Sequence, residues 1–378
     1  MFKKLISLFF ALSLILVQAT FVAQAKSNEV TEEVVDQVAK EYLKRLKTTV
    51  EFEDKTNVIP FYDLDDNELG YYYQFENGEE SFFMLLSSNT DYSPLFSAGS
   101  GEPDIKIIDD DGKYYYAGNV TLYKAESDTN VVDRINDALN KSSLMQKSVS
   151  KSNQLDKREL RIKKNSKSID KWELFISDSK TTSRKDTSAV STAAVKEDYI
   201  KGVEIMNQWG SGVDYPASSC GPTTLATIAE YWRSEESKSK IRGLDYYSEA
   251  DMINHMWDTH GGTVLGMTTG KLRDAIKIHT NEHGGKYSVK TNSFNNFTTY
   301  KSEIRADRPL AIKFDDWFVF DDSWGDEYVY DYHWTTGVGY IEGDGDEIMY
   351  IHDSVGGVAY IDYVTHEDIV TMVSIDIN

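Results

Sequence analysis

Only one of the 378 residues is a cysteine, Cys220. No intrachain disulfide can staple such a chain, and a cysteine-only zinc or iron–sulfur site is excluded. Stability must therefore come from packed apolar cores. The length suggests roughly two domains, each large enough to bury its own core. A hydrophobic content of 40% and an aromatic content of 12% fit folded, globular structure. The formal net charge of -22 argues against nucleic acid as a partner, because phosphates would be repelled.

The chain opens on an address. Met1-Phe2-Lys3-Lys4 is basic, Leu5 to Val17 is almost wholly apolar, and Ala23-Gln24-Ala25 has the small-x-small cleavage pattern. This predicts a secretory signal peptide over 1–25. The other reading, an uncleaved anchor, meets an apolar stretch shorter than the ~20 residues that span a bilayer. No later run is long enough, so no transmembrane segment is expected after cleavage. The mature protein is expected to be secreted, extracellular or associated with the cell wall. A lone thiol sent to an oxidising compartment must be buried or used.

Val34, Val35, Val38, Tyr42 and Leu46 recur at helical spacing. Short aromatic runs follow, at Tyr71 to Phe75, Phe82 to Leu86 and Tyr114 to Tyr116, separated by turns such as Glu76-Asn77-Gly78. Residues 27–125 read as a small α+β domain. Residues 126–198 read as a basic, Ser/Lys-rich linker region: Lys141, Lys147, Lys151, Lys157, Arg158, Arg161, Lys163, Lys164 and Lys167 crowd together in a strongly acidic protein. Exposed stretches of this kind are readily cut. Residues 199–378 read as globular. A short strand is expected at Val203 to Met206, a helix from Cys220 to Trp232, and a buried strand from Pro309 to Phe314. Gly337 to Ile341 should pair with Ile348 to His352 in a hairpin.

Ser219-Cys220-Gly221-Pro222 stands where a loop becomes a helix. Pro fits the first helical turn, and a thiol there meets unpaired N–H groups and the positive end of the dipole. That position suits a nucleophile, although most free cysteines are small buried hydrophobes. A nucleophilic thiol needs a base. His333 begins the strand that runs into Gly337-Val338-Gly339-Tyr340, and Tyr350-Ile351-His352-Asp353 ends the next. With the hairpin centred on Gly343, His333 faces Asp353 with Cβ atoms ~4.5–5.5 Å apart; a slip of one residue puts His352 there instead. Gln208, upstream of the thiol, offers an amide for an oxyanion beside the Cys220 N–H, or is an ordinary loop amide.

The order Gln208, Cys220-Gly221-Pro222, His333-Trp334 with Gly337-Val338-Gly339-Tyr340, then Asp353 resembles papain-like cysteine peptidases. It is most similar to the bacteriocin-leader (double-glycine) peptidases and their secreted relatives. The resemblance covers residues 199–378. It implies an α+β, papain-like domain with a central helix packed on an antiparallel sheet. It also implies Cys220 as nucleophile, His333 as general base and acid, Asp353 as orienting carboxylate and Gln208 as oxyanion donor. The loop from Gln208 to Cys220 is longer than in compact members, and the transporter-fused members' double-glycine specificity does not carry over. Residues 27–125, through Tyr71 to Phe75, Phe82 to Leu86 and Tyr92 to Ser97, more weakly resemble streptopain-type propeptides. That implies an intramolecular inhibitory domain and a cut in the basic stretch; an unrelated accessory domain is the other reading.

His279 and His283, four apart, could share a zinc on a helix, but Gly284-Gly285 follows at once and the metalloprotease spacing is incomplete. No metal and no organic cofactor is expected. Asp109-Asp110-Asp111-Gly112 and Asp344-Gly345-Asp346 read as charged turns rather than calcium loops. Asp315, Asp316, Asp321, Asp322 and Asp326 interleave with Trp317, Phe318, Phe320 and Trp324 as an aromatic-anchored loop. The expected function is a secreted cysteine peptidase acting on peptide or protein, made as a zymogen. The alternatives are a transamidase or cell-wall amidase with the same triad, and a non-catalytic binding or toxin-like module on the same frame.

Overall fold

The computed structural model describes residues 28–78, 80–117, 121–145, 164, 168–181, 195–263, 266–315, 318–321, 327–330, 332–343 and 345–378. The expected signal segment and residues 146–163, 165–167 and 182–194 of the basic region lie outside them. No helix among the described residues is long and apolar enough to cross a membrane.

The chain begins with helix α1 (Glu32–Arg45). Strands β1 (Lys55–Tyr62), β2 (Glu68–Asn77), β3 (Glu80–Ser87), β4 (Leu95–Ser100), β5 (Asp104–Ile107), β6 (Lys113–Tyr116) and β7 (Thr121–Ala125) follow. Helices α2 (Asp128–Met145) and α3 (Ser168–Thr181) then lead to β8 (Lys196–Tyr199). The second half holds α4 (Cys220–Ser234), α5 (Glu249–Thr259), α6 (Thr269–Asn281), β9 (Val289–Phe294) and α7 (Phe297–Arg305). It ends with β10 (Leu310–Phe314), β11 (Phe318–Asp321), β12 (Glu327–Tyr330), β13 (His333–Gly343), β14 (Asp346–His352), β15 (Val358–Asp362), α8 (Tyr363–His366) and β16 (Val370–Ile377). The architecture is mixed α+β.

One mostly antiparallel sheet runs through both halves, in the order β5-β7-β6-β1-β2-β3-β4-β15-β14-β13-β10-β16-β9 with β8 added on β13. The join is β4 against β15, where Ser97, Ala98 and Gly99 pair with Ile361, Tyr360 and Ala359. The aromatic runs are strands buried on both faces. Side chains alternate along β3, so Phe82, Met84 and Leu86 enter one core while Phe83 and Leu85 enter another. The first of these cores also holds Val35, Val38 and Tyr42 of α1, Trp172 and Phe175 of α3, and Ile341, Ile348 and Tyr360 of the second half.

The basic stretch is therefore not all linker. Lys171 and Trp172 of α3 are buried, and the Trp172 indole donates to the Tyr92 carbonyl at 2.8 Å. Lys171 Nζ lies 2.8 Å from Asp362 Oδ1 and 3.5 Å from Asp346 Oδ1, while Tyr42 and Arg45 reach the same Asp346 carboxylate. Asp346, read from sequence as part of a charged turn, is thus a buried ion-pair partner. Val203 to Met206 is irregular rather than a strand; Asn207 instead bridges to Val355.

Candidate active site around Cys220

Helix α4 starts at Cys220, as the loop-to-helix sequence predicts. Every residue from Cys220 to Trp232 is buried, which marks it as a core helix. It packs on β13 and β10. Close approach at its first turn requires Gly221, because a Cβ there would stand 2.8 Å from the Met267 Cβ and 3.4 Å from Trp334 Cδ1. An alanine would overpack this point, at a cost of about 1–3 kcal/mol.

The Cys220 thiol is only 4% exposed. The backbone N–H groups of Trp334, Gly221 and Cys220 itself are directed at the sulfur and favour its thiolate, but burial outweighs them and pushes the thiol up to about 11. His333, next to Trp334, opens β13 and is buried. Its Nε2 lies 2.8 Å from the backbone oxygen of Asp353. A carbonyl oxygen only accepts, so Nε2 carries the proton and Nδ1 keeps the basic lone pair. Burial pulls the imidazole down to about 4, so it is neutral near pH 7.

The hairpin that carries His333 is shifted from the sequence expectation. Its last pair is Gly343 with Asp346, not a turn centred on Gly343, and Gly345 takes a left-handed φ of 82°. An irregularity between Gly337 and Gly339 then brings Thr336 opposite His352. β14 ends there, and Asp353 reaches His333 from the following turn through its main-chain carbonyl. Its carboxylate is used otherwise: Oδ1 accepts from the N–H groups of Val355 at 2.9 Å and Gly357 at 2.8 Å. Burial raises this carboxyl above its ordinary range despite those donors. His352 lies with Nδ1 3.0 Å from the Glu204 carbonyl oxygen, and here too the carbonyl fixes the ring nitrogen as the donor.

Gln208 is fully buried. Its Nε2 donates to the Pro216 carbonyl at 2.9 Å, in the turn just before the thiol, and its Oε1 is buried without a hydrogen-bond partner among the described residues. Its backbone N–H donates to the Ser354 carbonyl at 2.8 Å. The Ser354 hydroxyl lies 3.2 Å from Thr224 Oγ1, one turn into α4. The 353–357 turn thus touches the helix of Cys220, the partner of His333 and the segment of Gln208. No motif or spacing in the sequence points to Ser354 or Thr224. Strand β4 of the first half ends beside this turn, where Ser100 Oγ accepts from the N–H of Val358, the next residue, at 3.1 Å.

The histidines outside this site are not grouped as their spacing suggests. His279 and His283 do not stand as a pair: His255, His260, His279 and His283 all come within 3.1–3.7 Å of Glu282 Oε2, and the first three with Glu282 offer ligand atoms within 4.8 Å of one another. The aromatic-anchored loop lies partly outside the described residues; its described parts, β11 and β12, pair with each other.

No curated protein matches the chain. A crystal structure described as that of a candidate C39-like peptidase from Bacillus anthracis is 13% identical, with a TM-score of 0.31, covering 48% of this chain and 98% of that one. So slight a likeness says nothing further about this protein. Residues 200–368 match the family model described as the Peptidase_C39 like family, and that match supports a C39-type cysteine peptidase family, a hydrolase family, for this part of the chain.

Proposed function

We propose that the protein is a secreted cysteine peptidase with a papain-like second half, held in a resting state by its first half. The observation that carries this reading is the thiol at the start of a buried helix, faced by three backbone N–H groups, with a neutral imidazole one residue from one of them. His333 Nδ1 takes the thiol proton, and the sulfur attacks the carbonyl carbon of a peptide bond. The oxyanion is met by the Cys220 N–H and by the remaining N–H of Gln208 Nε2. His333 then returns the proton to the leaving amine as the C–N bond breaks. Water, deprotonated by the same imidazole, hydrolyses the thioester. Asp353 acts through its carbonyl, which fixes the tautomer of His333.

The resting state is supported by the burial of Cys220 and by the sheet and core shared between the halves. Cutting the basic stretch between 141 and 195 would let the first half leave. One observation favours a second reading: a buried thiol raised to about 11 also suits a non-catalytic binding module. The two are separated by hydrolysis of an unfolded protein substrate and by iodoacetamide alkylation of the single thiol, before and after limited proteolysis of the basic stretch. The expected result is hydrolysis and fast alkylation only after the cut, with hydrolysis absent in Cys220→Ala. A slow thiol and no hydrolysis in both forms would leave the binding module.

A further inference from the structure

A second cluster of chemistry-bearing side chains lies where α5 and α6 end. His255 and His260 come from the last turn and C-terminal cap of α5; His279 and Glu282 come from the last turn and cap of α6. His255 Nε2 is 3.2 Å from His260 Nε2 and 3.1 Å from Glu282 Oε2. His260 Nε2 is 3.3 Å and His279 Nδ1 3.7 Å from the same carboxylate oxygen. All four ligand atoms lie within 4.8 Å of one another. Tetrahedral ligands with metal bonds of ~2.0–2.1 Å stand about 3.3–3.4 Å apart, which the four separations of 3.1, 3.2, 3.3 and 3.7 Å approximate.

The outer hydrogen bonds of two of the three imidazoles point the same way, while His260 Nδ1 is buried with no hydrogen-bond partner among the described residues. His279 Nε2 donates to the Arg242 carbonyl oxygen, 3.0 Å away, which leaves Nδ1 with a lone pair. That Nδ1 is buried, without a hydrogen-bond partner among the described residues, and faces the Glu282 oxygen. His255 Nδ1 is held by the Thr259 hydroxyl at 3.3 Å, and its ring stacks on Tyr247. Ligating imidazoles are usually oriented in this way through their second nitrogen. Without an ion, the His279 Nδ1 lone pair would face the Glu282 carboxylate oxygen directly.

We propose that His255, His260, His279 and Glu282 bind a borderline divalent cation of the zinc class. Three imidazoles and one carboxylate suit zinc better than calcium or magnesium, which take oxygen ligands. Four protein ligands close the sphere, so the site is structural rather than hydrolytic. It fastens the ends of α5 and α6, and the connection between those helices carries Gly266 and Met267. A Cβ on Gly266, whose φ is 76°, would stand 2.4 Å from the Tyr332 hydroxyl, and the Met267 carbonyl accepts from the Trp334 indole at 2.7 Å. The metal thus braces the segment packed against the neighbours of both Cys220 and His333. The assignment is independent of whether the thiol is catalytic.

The test uses the purified protein stripped with a chelator and titrated with Zn²⁺ alone, then with Co²⁺, whose visible absorption reports tetrahedral nitrogen and oxygen ligation. A single equivalent should bind and raise the melting temperature, and the cobalt form should show the tetrahedral spectrum. Glu282→Gln keeps the shape of a partly exposed side chain, and His255→Ala removes one ligand; each should weaken zinc binding at least ~10–100-fold. His260→Ala and His279→Ala sit deeper and can fail to fold, so the test is decided by the first two variants. Zinc affinity unchanged in both, a melting temperature that zinc does not move, or an octahedral cobalt spectrum would each overturn the site.

Discussion

Two buried polar clusters in this molecule solve the problem of polar burial in opposite ways. The one between the halves is charged and paired: Lys171 of α3 lies between Asp346 and Asp362, with Arg45 and Tyr42 of α1 on Asp346. The one around the thiol is neutral and tied to the backbone: Cys220, His333, Gln208 and the Asp353 carbonyl. Burial alone would lower Lys171, but Asp362 and Asp346 more than offset it and hold it above its ordinary value. Burial would raise Asp362, yet Lys171 and the Thr365 donors hold it below the usual carboxylate range. Around the thiol burial is answered by backbone hydrogen bonds, and it outweighs them, so both thiol and imidazole are driven to their neutral forms. A charged cluster fixes two bodies to one another; a neutral one can be recharged when its surroundings change.

The largest expected effect breaks the charged cluster. Lys171→Met keeps the stem, which packs 3.1 Å from where a Cβ on Gly345 would sit, but leaves two buried carboxylates without their shared cation. Breaking a buried pair from one side typically costs ~3–5 kcal/mol. Denaturant melts should show a loss of that order, with Lys171→Met/Asp362→Asn recovering much of it. No recovery in the double variant would mean that the lost packing, and not the stranded charge, sets the cost.

Acid should separate the clusters by pH. His333 and His352 are both pulled down to about 4 by burial, against about 6.5 for an unfolded imidazole. The unfolded chain therefore takes up these protons first, and stability present above pH ~6.5 is lost as the pH falls toward ~4. Asp362, held below its ordinary value, keeps its contribution above the ordinary carboxylate pKa and loses it as the pH falls from there toward its lower folded value, while Lys171 keeps its contribution at every pH below its unfolded value. Asp346 runs the other way, since burial raises its carboxyl. Melting temperatures between pH 7 and pH 4 should thus fall in the wild type and fall less in Lys171→Met, whose two stranded carboxyls take up protons in the folded state over the same interval. A flat profile over that interval would mean that the imidazoles are protonated in the folded state.

What could be read from sequence, and what could not, divides along the same line. Helix α1, strands β2, β3 and β6, the start of α4 and the β13–β14 hairpin follow from periodicity and local turn chemistry. The pairing of β4 with β15 joins residues more than 250 apart, and nothing local specifies it. Lys171 and Trp172 were hidden by the Ser- and Lys-rich composition around them, although Trp172 and Phe175 have helical spacing. The imidazoles around Glu282 come from two helices, so no single spacing shows them. Cys220 and His333 were legible because each stands at the start of its element. Gln208 was legible as a residue upstream of the thiol, but not as a side chain tied to the Pro216 carbonyl.

Asp353 marks the finest point of the comparison, and the smallest expected effect. In the charged cluster carboxylates meet cations; here the carboxylate meets two backbone N–H groups while the main-chain carbonyl meets His333. Asp353→Asn retains an oxygen that can accept from Val355 and Gly357, and it leaves the carbonyl in place. If the carbonyl orients His333 throughout the reaction, kcat/KM of the activated protein should fall less than about tenfold, a barrier change below roughly 1.4 kcal/mol. Asp353→Ala, which frees the turn, should cost more than Asp353→Asn. If instead the carboxylate swings to the imidazolium once the first half has left, the Asn variant should lose much more, on the order of 10²–10⁴-fold as for a misoriented base. A large loss in Asp353→Asn would therefore show that the turn rearranges on activation, and that the neutral cluster becomes a charged one when it works.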